Sequence, residues 1–326
     1  MVRKTFFAFI LIFLSPNLIL ILFAWGFRGH QEINRAAVFT LPTGLFGFYK
    51  QHIEFISAHA VDPDKRRYAD PEEAPRHFID LDRYGEHPFD SLPVSWDDAV
   101  AKYGADSLKA HGIVPWHVSL MLFRLTDAFR DKDPKRILRY SADIGHYIAD
   151  AHVPLHCTRN YNGQLTGQHG IHGLWESRLP ELFDGNYDRI TGTGSYIKDP
   201  SKAIWIALRE SYAAKDSVLN LERELSAVFP ENRKYAYEQR GRQLVRVYSR
   251  AYCSAYHHAL NGMVERRMNC AIRMVGAFWY TAWVNAGMPP LNFQAEIYPM
   301  EDMFAGGDSM DRKISGQIKF LPGHED

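Results

Sequence analysis

Apolar side chains recur along this chain at intervals of three and four, and that spacing limits the fold more than any other feature. Val118, Leu122, Leu125 and Phe129 mark one helix face between residues 112 and 130, and Ile137, Tyr140, Ile144 and Ile148 mark another between Lys135 and Ala151. Asp199-Pro200 offers a side-chain cap and a first-turn proline for a helix through Ile204, Trp205 and Leu208. A longer striped segment runs from Leu244 to Ala286, and Gly287 with Pro289-Pro290 beyond predicts its stop. Nowhere does a strict period-two run of Val, Ile and Thr persist. The Pro- and Asp-rich stretch from Asp62 to Val94 and the Gly-rich stretch from Asn160 to Gly173 read as loops. The expected fold class is all-α.

The 326 residues, 46% hydrophobic and 23% charged, suffice for one large core, and no linker or fixed-period repeat divides them. A single compact multi-helix domain is expected over residues 25–290, followed by a weakly periodic tail, residues 291–326. Residues 1–24 read as a signal peptide, because Arg3 and Lys4 precede an apolar run from Phe6 to Ala24. The run is near the ~20 residues that span a bilayer, so an uncleaved anchor is the alternative, although Pro16 interrupts a continuous helix. Either outcome places the domain outside the cytoplasm, as a secreted protein or in the periplasm or cell envelope. A formal net charge of zero offers no basic footprint for duplex DNA. Three cysteines, Cys157, Cys253 and Cys270, form no CxxC pattern and no disulfide framework. Cys253 and Cys270 could pair or both stay reduced.

Histidine is the residue in excess, with fifteen in the chain. His146 and Asp150 lie four apart in an expected helix, and so do His172 and Glu176. Residues at that spacing share a helix face about 5–6 Å apart, close enough to chelate one cation or bridge two. One such pair is commonplace on a helix surface; two within one short stretch, with His156 between them, point to a metal. Upstream lie Trp25-Gly26-Phe27-Arg28-Gly29-His30, then Asp62, then His77 in His77-Phe78-Ile79-Asp80. Nitrogen and oxygen donors without sulfur suit zinc and similar divalent ions.

In order, residue type and spacing, the stretch from Trp25 to Glu176 resembles the superfamily that joins bacterial zinc-dependent phospholipase C to the fungal and plant single-strand-specific nucleases. The resemblance implies an all-α fold with a metal cleft between helices, and three zinc ions. It assigns one ion to Asp62, His77, His146 and Asp150. It assigns a second to the free amine and carbonyl of Trp25, to His30, and to Asp150 acting as a bridge. The third falls to His156, His172 and Glu176. It further implies hydrolysis of phosphodiesters by a metal-bridged hydroxide, with Asp62 helping to orient it. The five-residue step from Trp25 to His30 and the fifteen-residue step from Asp62 to His77 look like the nuclease branch. Glu176 looks like the phospholipase branch, since the nucleases usually carry Asp there. Physical chemistry agrees: two zinc ions about 3.5–4 Å apart lower the pKa of a shared water enough to supply hydroxide near neutral pH.

Other residues carry two readings each. Lys65 occupies the place where the nucleases have an arginine that would stabilise phosphate charge, or it belongs to a solvated charge run with Arg66 and Arg67. Phe78 and Asp80 match nuclease positions that stack on and hydrogen-bond a base, although Phe78 could equally pack beside a ligand. Asp143 is either an acceptor for a ligand histidine or a helix-surface acid. His152 and His169 are expected to be surface or pocket residues, and His111, His117, His257 and His258 structural. Trp116 and Phe278-Trp279-Tyr280 are expected in the core. Three functions remain open: a nuclease-like zinc phosphodiesterase acting on single-stranded nucleic acid or nucleotides, a phospholipase C acting on phospholipids, and a metal-bearing envelope protein without turnover.

Overall fold

The structure, a computed structural model, describes residues 26–291. The expected leader, Trp25, and the expected tail from residue 292 onward lie outside the described residues. What is described is mostly helical, with one two-stranded hairpin. No helix among the described residues is long and apolar enough to cross a membrane.

Helix Pro134–Ala151 is the centre of the molecule. Asp133 caps it by accepting from the Arg136 amide, and Pro134 fills the first turn. From Tyr140 to Ala151 every residue is buried, so the stripe seen in the sequence is only one of its covered faces. A helix enclosed on all sides is usually apolar throughout. This one buries Asp143, His146, Tyr147 and Asp150 as well. Helix Val114–Arg130 folds back against it through a tight turn in which Lys132 adopts a left-handed conformation. Helices Gly26–Ala37 and Met263–Asn285 close further sides, and Trp279 in the latter stacks on Tyr49 while donating to the Ser141 carbonyl. Trp116 and Phe278 are buried as expected. Cys157, Cys253 and Cys270 are all unpaired.

Arg267 ties the second layer together. Its guanidinium donates to the carbonyls of His152 and Ala207 and to the Ser211 hydroxyl, and Ser211 donates in turn to the Ala151 carbonyl. Helix Pro200–Val228, capped by Asp199 through the Lys202 amide, is thereby fixed to the end of the central helix. The capping read from Asp199-Pro200 is found as expected.

Two segments differ from their sequence reading. The stretch from Leu244 to Ala286 is not one helical run. It comprises strand β2 (Gln243–Tyr248), helix Arg250–Ala259 and helix Met263–Asn285. Ser249 caps the first helix through the Tyr252 amide, and Gly262 at φ +73° resets the chain before the second. Strand β2 pairs antiparallel with β1 (Tyr235–Arg240), from Tyr235 opposite Tyr248 to Arg240 opposite Gln243. A two-residue turn, Gly241-Arg242, joins them, with Gly241 supplying the positive φ that hairpin turns need. The stretch from Asp62 to Val94 is likewise not all loop, since it contains the short helices Asp62–Arg66 and Pro88–Ser91 and two 3₁₀ turns.

Gly145 sets how closely helix Gly26–Ala37 approaches the central helix. A Cβ at Gly145 would lie 2.1 Å from Asn34 Oδ1, and the Asn34 amide is committed to the Ala142 carbonyl at 3.0 Å. Gly145→Ala should therefore push the two helices apart and destabilise the fold by about 1–3 kcal/mol. Chemical denaturation of that variant measures it, and an unchanged midpoint would contradict this contact.

Candidate metal centre

Six segments deliver polar side chains to the buried end of the central helix. His30 comes from helix Gly26–Ala37, Asp64 from helix Asp62–Arg66, and His77 from the 3₁₀ turn Ala74–His77. His146 and Asp150 project from the central helix, one turn apart. His156 sits in the 3₁₀ turn Pro154–Cys157. His172 and Glu176 straddle a short α-turn that opens into the π-helical turn Leu174–Arg178, a widened geometry found often at functional sites. None of these eight residues is more than 7% exposed. That matters because isolated charges are not buried at this depth without partners.

The donor atoms fall into four overlapping groups, each within 4.8 Å: His30–Asp64–His146, His77–His146–Asp150, His30–Asp150–Glu176 and His156–His172–Glu176. These buried groups can hold metal ions. Asp150 links them. Its Oδ2 lies 2.9 Å from His77 Nδ1 and 3.2 Å from His146 Nε2, while its Oδ1 lies 3.4 Å from His30 Nε2. On the far side, His172 Nε2 is 2.7 Å and His156 Nε2 3.4 Å from Glu176 Oε2.

Several of these atoms have no protein partner. Both nitrogens of His30, both oxygens of Asp64 and Oδ1 of Asp150 are buried without a hydrogen bond. Each such group costs about 1–3 kcal/mol if left bare, and native structures rarely leave many together unless an ion or water completes them. The donor set therefore fits cations better than it fits a closed protein network.

The histidines are oriented from behind. Nδ1 of His146 donates to the Ala60 carbonyl at 2.8 Å, Nδ1 of His156 to the His77 carbonyl at 2.7 Å, and Nδ1 of His172 to the Tyr161 carbonyl at 3.2 Å. Each bond leaves Nε2 to face the centre, the usual support for a metal-ligating imidazole. His77 is turned the other way. Its Nδ1 faces Asp150, and its Nε2 faces Glu73 Oε1 at 3.5 Å. Glu73 is itself fully buried and takes hydrogen bonds from Arg66, Arg76 and the Tyr147 hydroxyl. Burial would raise its pKa, but His77, Arg66 and Arg76 outweigh that and hold it well below the usual carboxylate range.

The same balance operates in the centre. Burial opposes charge on Asp150, yet His146 and His156, with hydrogen bonds from His146 and His77, keep its carboxyl well below the ordinary value. Burial would lower the pKa of His146 and His156, but Asp150, with Asp64 for the first and Glu176 for the second, raises each to about 9. His30 goes the other way: burial first, then the charge on His146, pushes it well below the ordinary value. Burial raises Asp64.

Seven of the expected ligands, His30, His77, His146, Asp150, His156, His172 and Glu176, come together. Trp25 lies outside the described residues. Asp62 does not join them. Its carboxylate meets His59 Nδ1 at 2.5 Å and Lys65 Nζ at 2.9 Å, and Asp64 stands in the place expected of Asp62. The two acids lie two residues apart on one helical turn, hence about 200° around its axis, so only one can face inward. Lys65 is half-exposed and engaged with Asp62, without contact to the cluster. Asp143 is neither a surface acid nor an acceptor for a ligand histidine. It is buried in a two-pronged pair with Arg66, at 3.1 and 3.0 Å, and reaches His77 only through Arg66 and Glu73. His152 is buried too, bonded to the Ile148 carbonyl, whereas His169 is exposed.

Phe78 and Asp80 adjoin the third group. The segment from His77 to Asp80 is pinned to His156 by the Ile79 amide donating to the His156 carbonyl at 2.9 Å. Phe78 is half-buried with its ring against Gly112. Asp80 has its pKa raised to about 6 by burial and by neighbouring Asp82. Sequence reasoning missed Asp64, Glu73 and the role of Arg66; the Asp-Pro-Asp repeat at Asp62–Asp64 was the one available signal.

Comparison of the chain with models of known protein families and with characterised protein sequences finds no match to either.

Asp64→Asn should lower metal content per chain and leave the fold intact, whereas Asp62→Asn should retain full metal content. Elemental analysis of both purified variants tests this; equal loss in both, or loss in Asp62→Asn alone, would return the ligand role to Asp62.

Proposed function

We propose that this chain is a zinc-dependent phosphodiester hydrolase, nuclease-like in substrate, with three ions held by the clustered histidines and carboxylates. The observation that carries the reading is the split environment of Asp150. One of its oxygens faces His77 and His146 and the other faces His30. A carboxylate so placed would be able to serve two cations, one through each oxygen. His156, His172 and Glu176 form an adjoining set that shares Glu176 with the His30–Asp150 group. Bound zinc would supply Lewis acidity, bringing water toward ionisation near neutral pH and withdrawing charge from phosphoryl oxygens.

The protein's own contribution is placement. The carbonyls of Ala60, His77 and Tyr161 orient three imidazoles before any ligand arrives. Glu73 stands 3.5 Å behind the Nε2 of His77. Asp80, whose carboxyl burial and Asp82 push up to about 6, can offer a hydrogen bond to a base edge, with Phe78 beside it for stacking. The Asp62–Lys65 pair can contribute a cation to phosphate if Lys65 turns from Asp62. Export by the basic and apolar leader, Arg3 to Ala24, would bring the domain to extracytoplasmic substrates.

A phospholipase C reading is favoured by one residue, Glu176, buried in the third set where the nucleases usually have Asp. Zinc-loaded protein assayed on single-stranded DNA, RNA and phosphatidylcholine separates these readings, and metal without turnover on any of them would leave a binding protein. Asp150→Asn is expected to lower turnover at least 1,000-fold, on the order of 4 kcal/mol of lost transition-state stabilisation, and to release two ions together. Unaltered turnover in that variant would refute the shared-carboxylate assignment.

A further inference from the structure

The hairpin missed in the sequence carries an unusual surface. Residues directly opposite share a face, so Tyr235, Tyr237 and Gln239 align with Tyr248, Arg246 and Leu244 on one side. The other side bears Glu238 and Arg240. These pair with Arg178 and Glu181, which turns that side toward the body of the protein. The tyrosine face is therefore the outward one from Tyr237 and Arg246 to the turn, while Tyr235 and Tyr248 at its base are half-buried, Tyr248 stacking on Tyr252. Tyr237 is 68% and Leu244 65% exposed there, and the Arg246 guanidinium lies over the Tyr235 ring at 3.6 Å. Arg242 stands exposed at the turn, with Arg233 and Arg250 exposed at the base. Among the described residues no acid pairs with any of these four arginines, unlike Arg178, Arg240 and Lys234 nearby.

The face is continuous with the metal centre. At its base the Tyr248 hydroxyl donates to the His169 carbonyl at 3.3 Å, and a side chain at Gly170 would touch the Tyr248 ring. His172 follows two residues later. With six residues per strand, the platform extends about 20 Å outward from the loop that carries His172.

We propose that this outward face is an extended binding platform for single-stranded polynucleotide, holding the strand beyond the bond to be cut. Rings and stacked guanidinium on one face match bases, which all offer a π-surface, and unpaired arginines match the phosphate backbone. A bilayer fits less well, because Leu244 is the one strongly exposed aliphatic side chain on the face, giving little to bury in acyl chains. The substrate named here rests on the phosphodiesterase reading; the binding itself does not.

The test measures fluorescence anisotropy of a long labelled oligothymidylate against zinc-loaded protein across a salt series, alongside hydrolysis of a dinucleotide too short to reach the hairpin. The Arg242→Ala, Arg246→Ala double variant should bind more weakly, with the slope of log affinity against log salt reduced by about 1.4, or 0.7 for each of two cations. Tyr237→Ala should weaken the long strand about tenfold. Both variants should cleave the dinucleotide at the wild-type rate, which also reports intact folding. Wild-type affinity and slope in both variants would overturn the platform. So would loss of binding to phosphatidylglycerol vesicles with strand binding retained. Hairpin-dependent strand binding without hydrolysis of either substrate would keep the platform and remove the catalytic reading.

Discussion

A carboxylate at the centre of the protein, fully enclosed and surrounded by imidazoles, is the constraint around which the other parts are arranged. Asp150 sits on a helix with no exposed face along its second half, so its charge cannot be relieved by water. Its compensation has to come from the segments packed on that helix. His146 comes from the same helix, His30 and His77 from upstream segments and His156 from the following turn. Each must arrive within about one ligand diameter, which makes the helix approaches at Gly145 and the carbonyl contacts behind the rings as consequential as the rings themselves.

Behind this centre lies a second polar layer that no ligand need touch. Asp143 grips Arg66, Arg66 and Arg76 grip Glu73, and Glu73 faces the outer nitrogen of His77. Buried pairs of this kind contribute little net stability compared with apolar packing, because desolvation offsets the Coulombic gain. What they supply is direction. Of His77, His146, His156 and His172, His77 is the one that presents Nδ1 inward, with Glu73 Oε1 3.5 Å from its Nε2 on the other side. The hydrogen bond from Tyr147 to Glu73 ties the same layer back to the central helix.

How much of this was readable in the sequence depends on how locally each feature is encoded. His146–Asp150 was legible because both the chelating spacing and the helix that gives it meaning lie within one periodic run. His172–Glu176 was legible as a pair, although its helix proved to be a π-turn. Asp64 was not separable from Asp62, because choosing between acids two apart requires the rotational phase of a one-turn helix, and nothing in five residues sets it. Glu73 and Arg66 act across long separations and leave no local pattern. The hairpin escaped notice because its alternation is written in Tyr, Arg and Gln as well as Val, and because Gln243–Tyr248 runs directly into a helical stripe. The all-helical character of the remainder was plain from its spacing.

The polar centre is set within a much larger apolar frame. A continuous apolar core runs from Ile33 to Ala282 and joins every long helix among the described residues. Groups such as those on His30, Asp64 and Asp150 cost about 1–3 kcal/mol each when buried without a partner, which is why this centre calls for one. In small metal-dependent domains the ion must build the fold, and the site inherits whatever geometry results. Here a large core positions the candidate ligands, so a cation entering the centre would meet imidazoles already oriented by packing and by the carbonyls behind them.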